Sequence, residues 1–207
     1  VKEAVRQTKG EILVSGDEIC DARFSKCCGG VTEEYRYCWE NINKPYLQSV
    51  SCPYCNTSDR EILSQVLNGY DQETHDFYRW HHRLPKEKLR RLLLEKLNTD
   101  LGSIVTMEAL ERGKSGRISR LKIIGTERSF TIGKELEIRR ALSDTHLYSS
   151  AFDIEVRDDE FVLHGKGWGH GVGLCQIGAA VMGEKGFSYD DILLFYYHNA
   201  KIKKVYR

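Results

Sequence analysis

The sequence predicts an α+β fold, a mixed or antiparallel sheet with packed helices, and three observations carry that prediction. Short runs rich in β-branched and aromatic residues recur between turn signals. Amphipathic stretches with apolar residues three and four apart lie among them rather than in a separate block. Only 3 of the 207 residues are proline, and no linker, low-complexity tract or internal repeat divides the chain. Residues 1–207 are therefore expected to form one domain, or one lobe of a larger one.

Residues 11–14 and 18–24 read as two short strands around Ser15-Gly16-Asp17, a hairpin signal. Residues 25–34 read as a loop, with Cys27-Cys28-Gly29-Gly30 supplying backbone freedom. Tyr35, Tyr37, Trp39 and Tyr46 follow, and they suit either a groove or wedged core positions. Ser58 with Glu61 has capping-box spacing ahead of Ile62, Val66 and Leu67, and residues 69–74 read as a polar loop. Phe77, Tyr78 and Trp80 with His81 and His82 fit a strand alternating between core and surface better than a ligand box. Pro85 in a first turn, with Leu89, Leu92, Leu93 and Leu97, defines an amphipathic helix. Residues 105–112 lead to Gly116-Arg117, after which 118–124 and 129–132 read as paired strands turning at Gly125-Thr126. Residues 134–142 read as a helix. Residues 152–156 and 160–164 make a hairpin around Asp158-Asp159. Ser188 caps a helix bearing Tyr189, Ile192, Leu193, Tyr196 and Tyr197, and residues 202–206 are expected to close the sheet.

The least ordinary stretch is Gly165-Lys166-Gly167-Trp168-Gly169-His170-Gly171-Val172-Gly173. In an extended backbone every glycine would fall on one face, bare of side chains, and Lys166, Trp168 and His170 on the other. Such a strip needs a compensating reason, either close packing against a neighbouring segment or a ligand. Residues 174–182 then read as a helix of small residues whose start can receive a polar group. No Lys-Ser or Lys-Thr pair follows the glycines, which excludes a phosphate loop.

Hydrophobic content of 41%, charged content of 29% and a net charge of +1 are those of an ordinary globular protein. Scattered Lys and Arg argue against a nucleic-acid partner. No apolar run approaches the roughly 20 residues of a membrane span. The chain opens at Val1 without an initiator Met or signal peptide and reads as a fragment or processed product, so the missing signal leaves the compartment open.

Six of seven cysteines, Cys20, Cys27, Cys28, Cys38, Cys52 and Cys55, fall in the first 55 residues, a cysteine-rich subregion over 20–55. Cys52-Pro53-Tyr54-Cys55 has metal-ligand spacing, and Cys27 or Cys28 with Cys38 can complete a four-thiolate zinc site, with Cys28 the one assigned. Disulfides and free thiols are the competing readings. A structural zinc is worth on the order of 10 kcal/mol and a disulfide roughly 2–4 kcal/mol, so either would staple the segment. Cys27 and Cys28 point to opposite faces of an extended segment, so at most one joins a site. Cys175 reads as a small packed residue.

Taken in order, these blocks resemble the SpoIID/LytB family, the sporulation stage II protein D and amidase-enhancer group of bacterial cell-wall proteins. Residues 165–180 match its GxGxGHGVGxxQxGA signature at nearly every position. Ala4-Val5-Arg6-Gln7-Thr8-Lys9-Gly10, the Ser25 to Glu33 loop with its Gly29-Gly30, and Pro45-Tyr46-Leu47-Gln48-Ser49-Val50 resemble three further blocks. Gly116-Arg117, Ile138-Arg139, Ser149-Ser150-Ala151-Phe152 and the closing Ile192-Leu193 and Tyr196-Tyr197 also agree.

The resemblance implies peptidoglycan glycan strands as substrate, a cell-envelope location, and for the sporulation members a lytic transglycosylase reaction driven by one glutamic acid. An N-acetylmuramoyl amidase is the partner implied by the amidase-enhancer members. The family's catalytic glutamate lies in an ASEMP-like segment that these 207 residues do not contain, so no catalytic residue is assigned. The same comparison implies glycan contacts by Trp168, through stacking, by Lys166, His170 and Gln176, through hydrogen bonds, and by Ser25, Thr32 and Glu33 from the Gly-Gly loop. Nothing in the sequence suggests apolar surroundings that would raise the Glu33 pKa and let it replace the missing acid.

Overall fold

The computed structural model describes residues 2–69, 71 and 77–206 and is α+β, as the sequence predicts. The polar loop expected over 69–74 lies, apart from residues 69 and 71, outside the described residues. The chain starts with helix α1 (Lys2–Gln7), and then β1 (Glu11–Ser15) and β2 (Glu18–Ile19) form the expected hairpin, Val14 opposite Ile19. The second strand is shorter than predicted because Phe24 and Ser25 leave to form β3 (Phe24–Ser25) elsewhere. After the one-turn helix α2 (Tyr35–Cys38) comes α3 (Arg60–Val66). Its N-cap is Asp59, which accepts from the Glu61 and Ile62 amides, one position later than the Ser58 cap expected. A carboxylate adjacent to a hydroxyl competes well for this place, because it also meets the helix dipole with a full charge.

Strand β4 (Arg79–Pro85) alternates exposed and buried residues as predicted, with Trp80 and Leu84 facing in. Helix α4 (Lys86–Leu97) follows directly, burying Leu89, Leu92 and Leu93, and Asn98 closes it in the left-handed region at φ +49°. Burying each leucine contributes roughly 1.5–3 kcal/mol. β5 (Ile104–Arg112), β6 (Ile118–Gly125) and β7 (Ser129–Ile132) make an antiparallel meander, and α5 (Glu135–Ala141) packs on it. β8 (Phe152–Val156) and β9 (Glu160–Lys166) form the second predicted hairpin, and β9 pairs with β4 on its other edge.

β10 (Leu174–Cys175) pairs in parallel with β3. α6 (Gln176–Glu184) packs against α3, and α7 (Tyr189–Tyr196) begins with a capping box between Ser188 and Asp191. β11 (Lys201–Lys204) closes the first sheet beside β1. The described residues thus hold three three-stranded antiparallel sheets and one short parallel pair.

Two hydrophobic clusters result. One gathers Trp80, the α4 leucines, Ile118, Leu121 and Ile123 of β6, Ile138, Phe161 and Leu163. The other gathers Tyr35, Tyr46, Leu63, Phe77, Ile177, Met182, Tyr196 and the cysteines. The glycine strip runs between them, and no described helix is long and apolar enough to cross a membrane.

Candidate functional site

The strip leaves the extended conformation where β9 ends. Gly167, Gly169, Gly171 and Gly173 all have positive φ, between +71° and +95°. This corrects the continuous strand expected from the alternation: a period-2 glycine pattern is shared by a strand and by a chain that enters the left-handed region at every second residue. The strip is nevertheless bare for the reason of close approach. Cys27 and Trp168 exchange backbone hydrogen bonds, the Glu33 amide donates to the Gly171 carbonyl, and the Gly169 amide donates to the Tyr148 carbonyl. Trp80 donates its indole N–H to the Gly167 carbonyl at 3.1 Å.

Arg117 lies beneath the strip, 1% exposed. Its Nε donates to the Gly169 carbonyl at 3.1 Å, and its Nη1 donates to the Cys28 carbonyl at 3.3 Å and to Ser115 Oγ at 3.0 Å. Ser115 Oγ donates in turn to Glu33 Oε2 at 2.6 Å, so a buried relay joins the Gly-Gly loop, the turn before β6 and the strip. A β-carbon on Gly171 would sit 2.5 Å from Arg117 Nη1. The guanidinium therefore explains the absence of a side chain there.

Several residues assigned to substrate from sequence are enclosed instead. Thr32 and Glu33 are fully buried: Thr32 Oγ1 accepts from the Val50 amide at 2.8 Å, and the Glu33 carboxylate accepts from Ser115 and from the Glu34 amide. Burial pushes the Glu33 carboxyl above its usual range, against the lowering effect of the Ser115 hydrogen bond and of Arg117. The sequence gives no warning of this, because the surroundings come from segments about eighty residues away. Ser25 is buried beneath Gly169, and its Oγ has no hydrogen-bond partner among the described residues. Packing thus withdraws Ser25, Thr32 and Glu33 from direct contact with a ligand in this conformation.

Lys166, Trp168, His170 and Gln176 are partly exposed. His170 packs edge-on against Trp39 and accepts from the Val172 amide through Nδ1 at 3.0 Å, which leaves the proton on Nε2. Burial, helped by the charges of Arg117 and Arg139, pushes its pKa down to about 4. The imidazole is therefore neutral near pH 7. Gln176 opens α6.

Trp168 borders a cavity of about 370 Å³ together with Trp80, Tyr148, His82, His146 and Asp71. Its ring meets Tyr148 edge-to-face at 5.1 Å and carries Lys26 Nζ 4.1 Å from its centroid, and Lys26 is ion-paired with Asp71. Across β4 and β9 a second cavity of about 500 Å³ is lined by Lys166, Arg79, Arg112, His164 and Asp153. His81 borders both. Lys166 Nζ has no acceptor within hydrogen-bond distance among the described residues, and burial with the nearby Arg79 and Arg117 charges lowers its pKa.

The cysteines are also regrouped. Cys28, Cys52 and Cys55 converge as predicted, but their fourth neighbour is Cys175, with all four sulfurs within 4.8 Å of one another. Cys38, assigned to that set from sequence, instead donates its thiol to the His170 carbonyl at 3.5 Å. Helix α2 carries it to the far side of the loop. All seven thiols are unpaired. Hydrogen bonds from neighbouring thiols, Cys175 first, draw the Cys55 thiol below its ordinary range.

Sequence reasoning thus missed Arg117, Ser115, Tyr148 and Cys175 as parts of this region. The first was flagged only as one of a matching Gly-Arg pair, although an arginine directly before an apolar strand is itself a signal of a buried charge in need of acceptors.

Residues 33–173 match a family model described as a domain of unknown function, DUF8618. The chain is 30% identical over 203 residues to an uncharacterized protein of Brachyspira hyodysenteriae, covering 98% of this chain and 48% of that protein. It is 25% identical to the stage II sporulation protein D of Bacillus subtilis, covering 99% of this chain and 51% of that protein. To the amidase enhancer of the same organism it is 25% identical over 94% of this chain and 31% of the relative. The chain thus spans about half or less of the length of these relatives. From the matched domain, the ordered motif blocks and these relatives together, the chain belongs to the DUF8618 domain family and to the SpoIID/LytB family.

Proposed function

We propose that this chain is the peptidoglycan-glycan-binding part of a bacterial cell-wall lytic transglycosylase resembling SpoIID, acting in the cell envelope. The observation that carries the reading is the pair of cavities flanking the start of the strip, one walled by aromatic rings and one by cations. Their volumes lie in the range of ligand pockets. An indole face suits the apolar face of a sugar ring, and the free Lys166 ammonium, with Arg79 and Arg112, suits hydroxyl and carboxylate oxygens. Trp168 and Lys166 are the principal contacts, with Gln176 as a further hydrogen-bonding group, while His170, whose ring N–H is engaged by the Phe24 backbone, holds the strip in place beside them. Ser25, Thr32 and Glu33 support the wall from behind.

In the transglycosylase reaction one carboxylic acid protonates the glycosidic oxygen as its bond to C1 breaks. The same group, now a carboxylate, takes the proton of the sugar's own 6-hydroxyl as that oxygen bonds to C1, giving a 1,6-anhydro ring without consuming water. Glu33 is too enclosed to reach a glycosidic oxygen. The acid is assigned to a part of the full-length protein outside these 207 residues.

Equilibrium binding of soluble denuded glycan chains to this chain tests the reading. Trp168→Ala should weaken binding at least tenfold, a loss of about 1.4 kcal/mol. Wild-type protein that binds no glycan, or Trp168→Ala protein that binds equally well, would sink it.

The likeness to an amidase enhancer supports a second reading, a non-catalytic module that presents glycan to an N-acetylmuramoyl amidase. Under that reading the full-length protein releases no anhydro-muropeptides from glycan strands and instead raises amidase turnover.

A further inference from the structure

We propose that Cys28, Cys52, Cys55 and Cys175 form a tetrathiolate site for one zinc ion, which fastens the end of the glycine strip to the cysteine-rich segment. The site goes beyond the glycan reading and does not rest on it.

The spacing fits a single ion. A tetrahedron with zinc–sulfur bonds of about 2.3 Å has sulfur–sulfur edges of about 3.8 Å. Here all four sulfurs lie within 4.8 Å of one another, and Cys28 Sγ and Cys55 Sγ are 3.5 Å apart. Small adjustments of side-chain torsions would bring the set to that geometry.

Three remote segments deliver the ligands. Cys52 and Cys55 flank the Pro53-Tyr54 turn, Cys28 precedes Gly29-Gly30, and Cys175 stands at the start of α6. All four are at most 1% exposed. Four cysteines serving as small core hydrophobes have no reason to turn their sulfurs toward a common point, whereas ligands do.

Donors surround the sulfurs as an anionic site requires. The Cys28 amide donates to Cys175 Sγ at 3.3 Å, and Tyr196 Oη lies 3.2 Å from Cys52 Sγ, where its hydroxyl can donate. Such contacts orient ligands and spread thiolate charge. Gly178, one turn into α6, keeps the space open: a β-carbon there would come within 2.9 Å of Cys52 Sγ and collide with the Tyr196 hydroxyl. Cys27, next to one ligand, also contacts the Cys175 and Cys55 thiols and lies 4.0 Å from the Cys55 carbonyl, but its sulfur falls outside the set that is mutually within 4.8 Å.

The ion would also hold the strip. Cys175 pairs with Ser25 in the short parallel ladder, and the Ile177 amide donates to the carbonyl of Lys26, whose ammonium lies over Trp168. A bond at Cys175 therefore sets the floor beneath the indole.

Metal analysis of protein exposed to zinc and then dialysed should give one zinc per chain. X-ray absorption at the zinc edge of the wild-type protein should show four sulfur neighbours near 2.3 Å and no nitrogen or oxygen. Cys175→Ser should lower zinc retention at least tenfold, while Cys38→Ser should retain one ion. The wild-type spectrum decides the matter even if a cysteine variant fails to fold, and neither measurement involves glycan. Protein that takes up no zinc, disulfides among these four residues, iron in the site, a mixed sulfur and nitrogen shell, or equal loss in Cys38→Ser and Cys175→Ser would each overturn the assignment.

Discussion

Gly171→Ala tests the account of the strip most directly, because the two costs of a methyl group there can be separated. The first is conformational: at φ +77° an L-residue loses roughly 1–2 kcal/mol against the usual backbone regions. The second is steric, since the new carbon would stand 2.5 Å from Arg117 Nη1 and 2.8 Å from Nη2. Relieving it moves a guanidinium that donates to Gly169, Cys28 and Ser115. Losing one such charge-assisted bond costs about 1.5–3 kcal/mol, so the total is about 3–5 kcal/mol. Gly186→Ala is the control: its φ is +85°, and nothing lies within 4 Å of the added carbon. It carries the conformational cost alone. Urea unfolding at pH 7, with both slopes compared to check that the denatured states match, should therefore place Gly171→Ala about 2–3 kcal/mol below Gly186→Ala. Equal losses for the two variants would refute the claim that Arg117 is what keeps position 171 bare.

Three other outcomes are expected. His170 stays neutral in the fold down to about pH 4, whereas an unfolded imidazole takes its proton near 6.5. The unfolded chain then binds more protons between those values, so the His170 contribution is intact above pH 6.5 and falls by up to about 3 kcal/mol as pH drops to 4. Glu33, raised by burial, works in the opposite sense above the ordinary carboxyl range. The comparison that isolates His170 is therefore the pH profile of unfolding free energy in wild type and His170→Gln, whose slope between pH 6.5 and 4 should be shallower; superimposable profiles would contradict the assignment. Ser188→Ala should cost about 1 kcal/mol in chemical unfolding through loss of the α7 cap, and Asp59→Ala should exceed Ser58→Ala, which removes no cap. Glu33→Ala leaves the buried Ser115 hydroxyl and Glu34 amide without their acceptor and should cost about 1–3 kcal/mol. Combined with Arg117→Met it should cost less than the sum of the single changes, and strict additivity would mean that the two residues are not coupled.

The legible parts of the fold were those specified locally. The β1–β2 and β8–β9 hairpins follow from turn residues between apolar runs, α4 from four leucines at helical spacing, and α7 from a serine three residues before an aspartate. The illegible parts depend on contacts between distant segments. Alternating glycines do not reveal the sign of φ, which is set here by Arg117 and the Cys27–Trp168 bridge from outside the strip. Cys175 stands 120 residues from the nearest other member of its cluster, so spacing favoured Cys38, which shares a segment with the others but points away. That Trp168 and Lys166 keep partly exposed side chains was recognisable from their place in the motif. That Thr32 and Glu33, in an equally matching block, turn inward was not, because neighbours in a motif share a sequence and not a direction.

The strip also has a mechanical consequence. Both hydrophobic clusters are tied to one ribbon of main chain, on one side through Trp80 and Tyr148 and on the other through Cys27 and Glu33. With hydrogen in place of most of its side chains, that ribbon has little freedom to absorb a shift by repacking, so displacement on one side is passed to the other. A ligand that immobilises Lys166 or Trp168 would brace both halves at once, and its arrival would register as slowed amide exchange in β7 and α7, neither of which it touches.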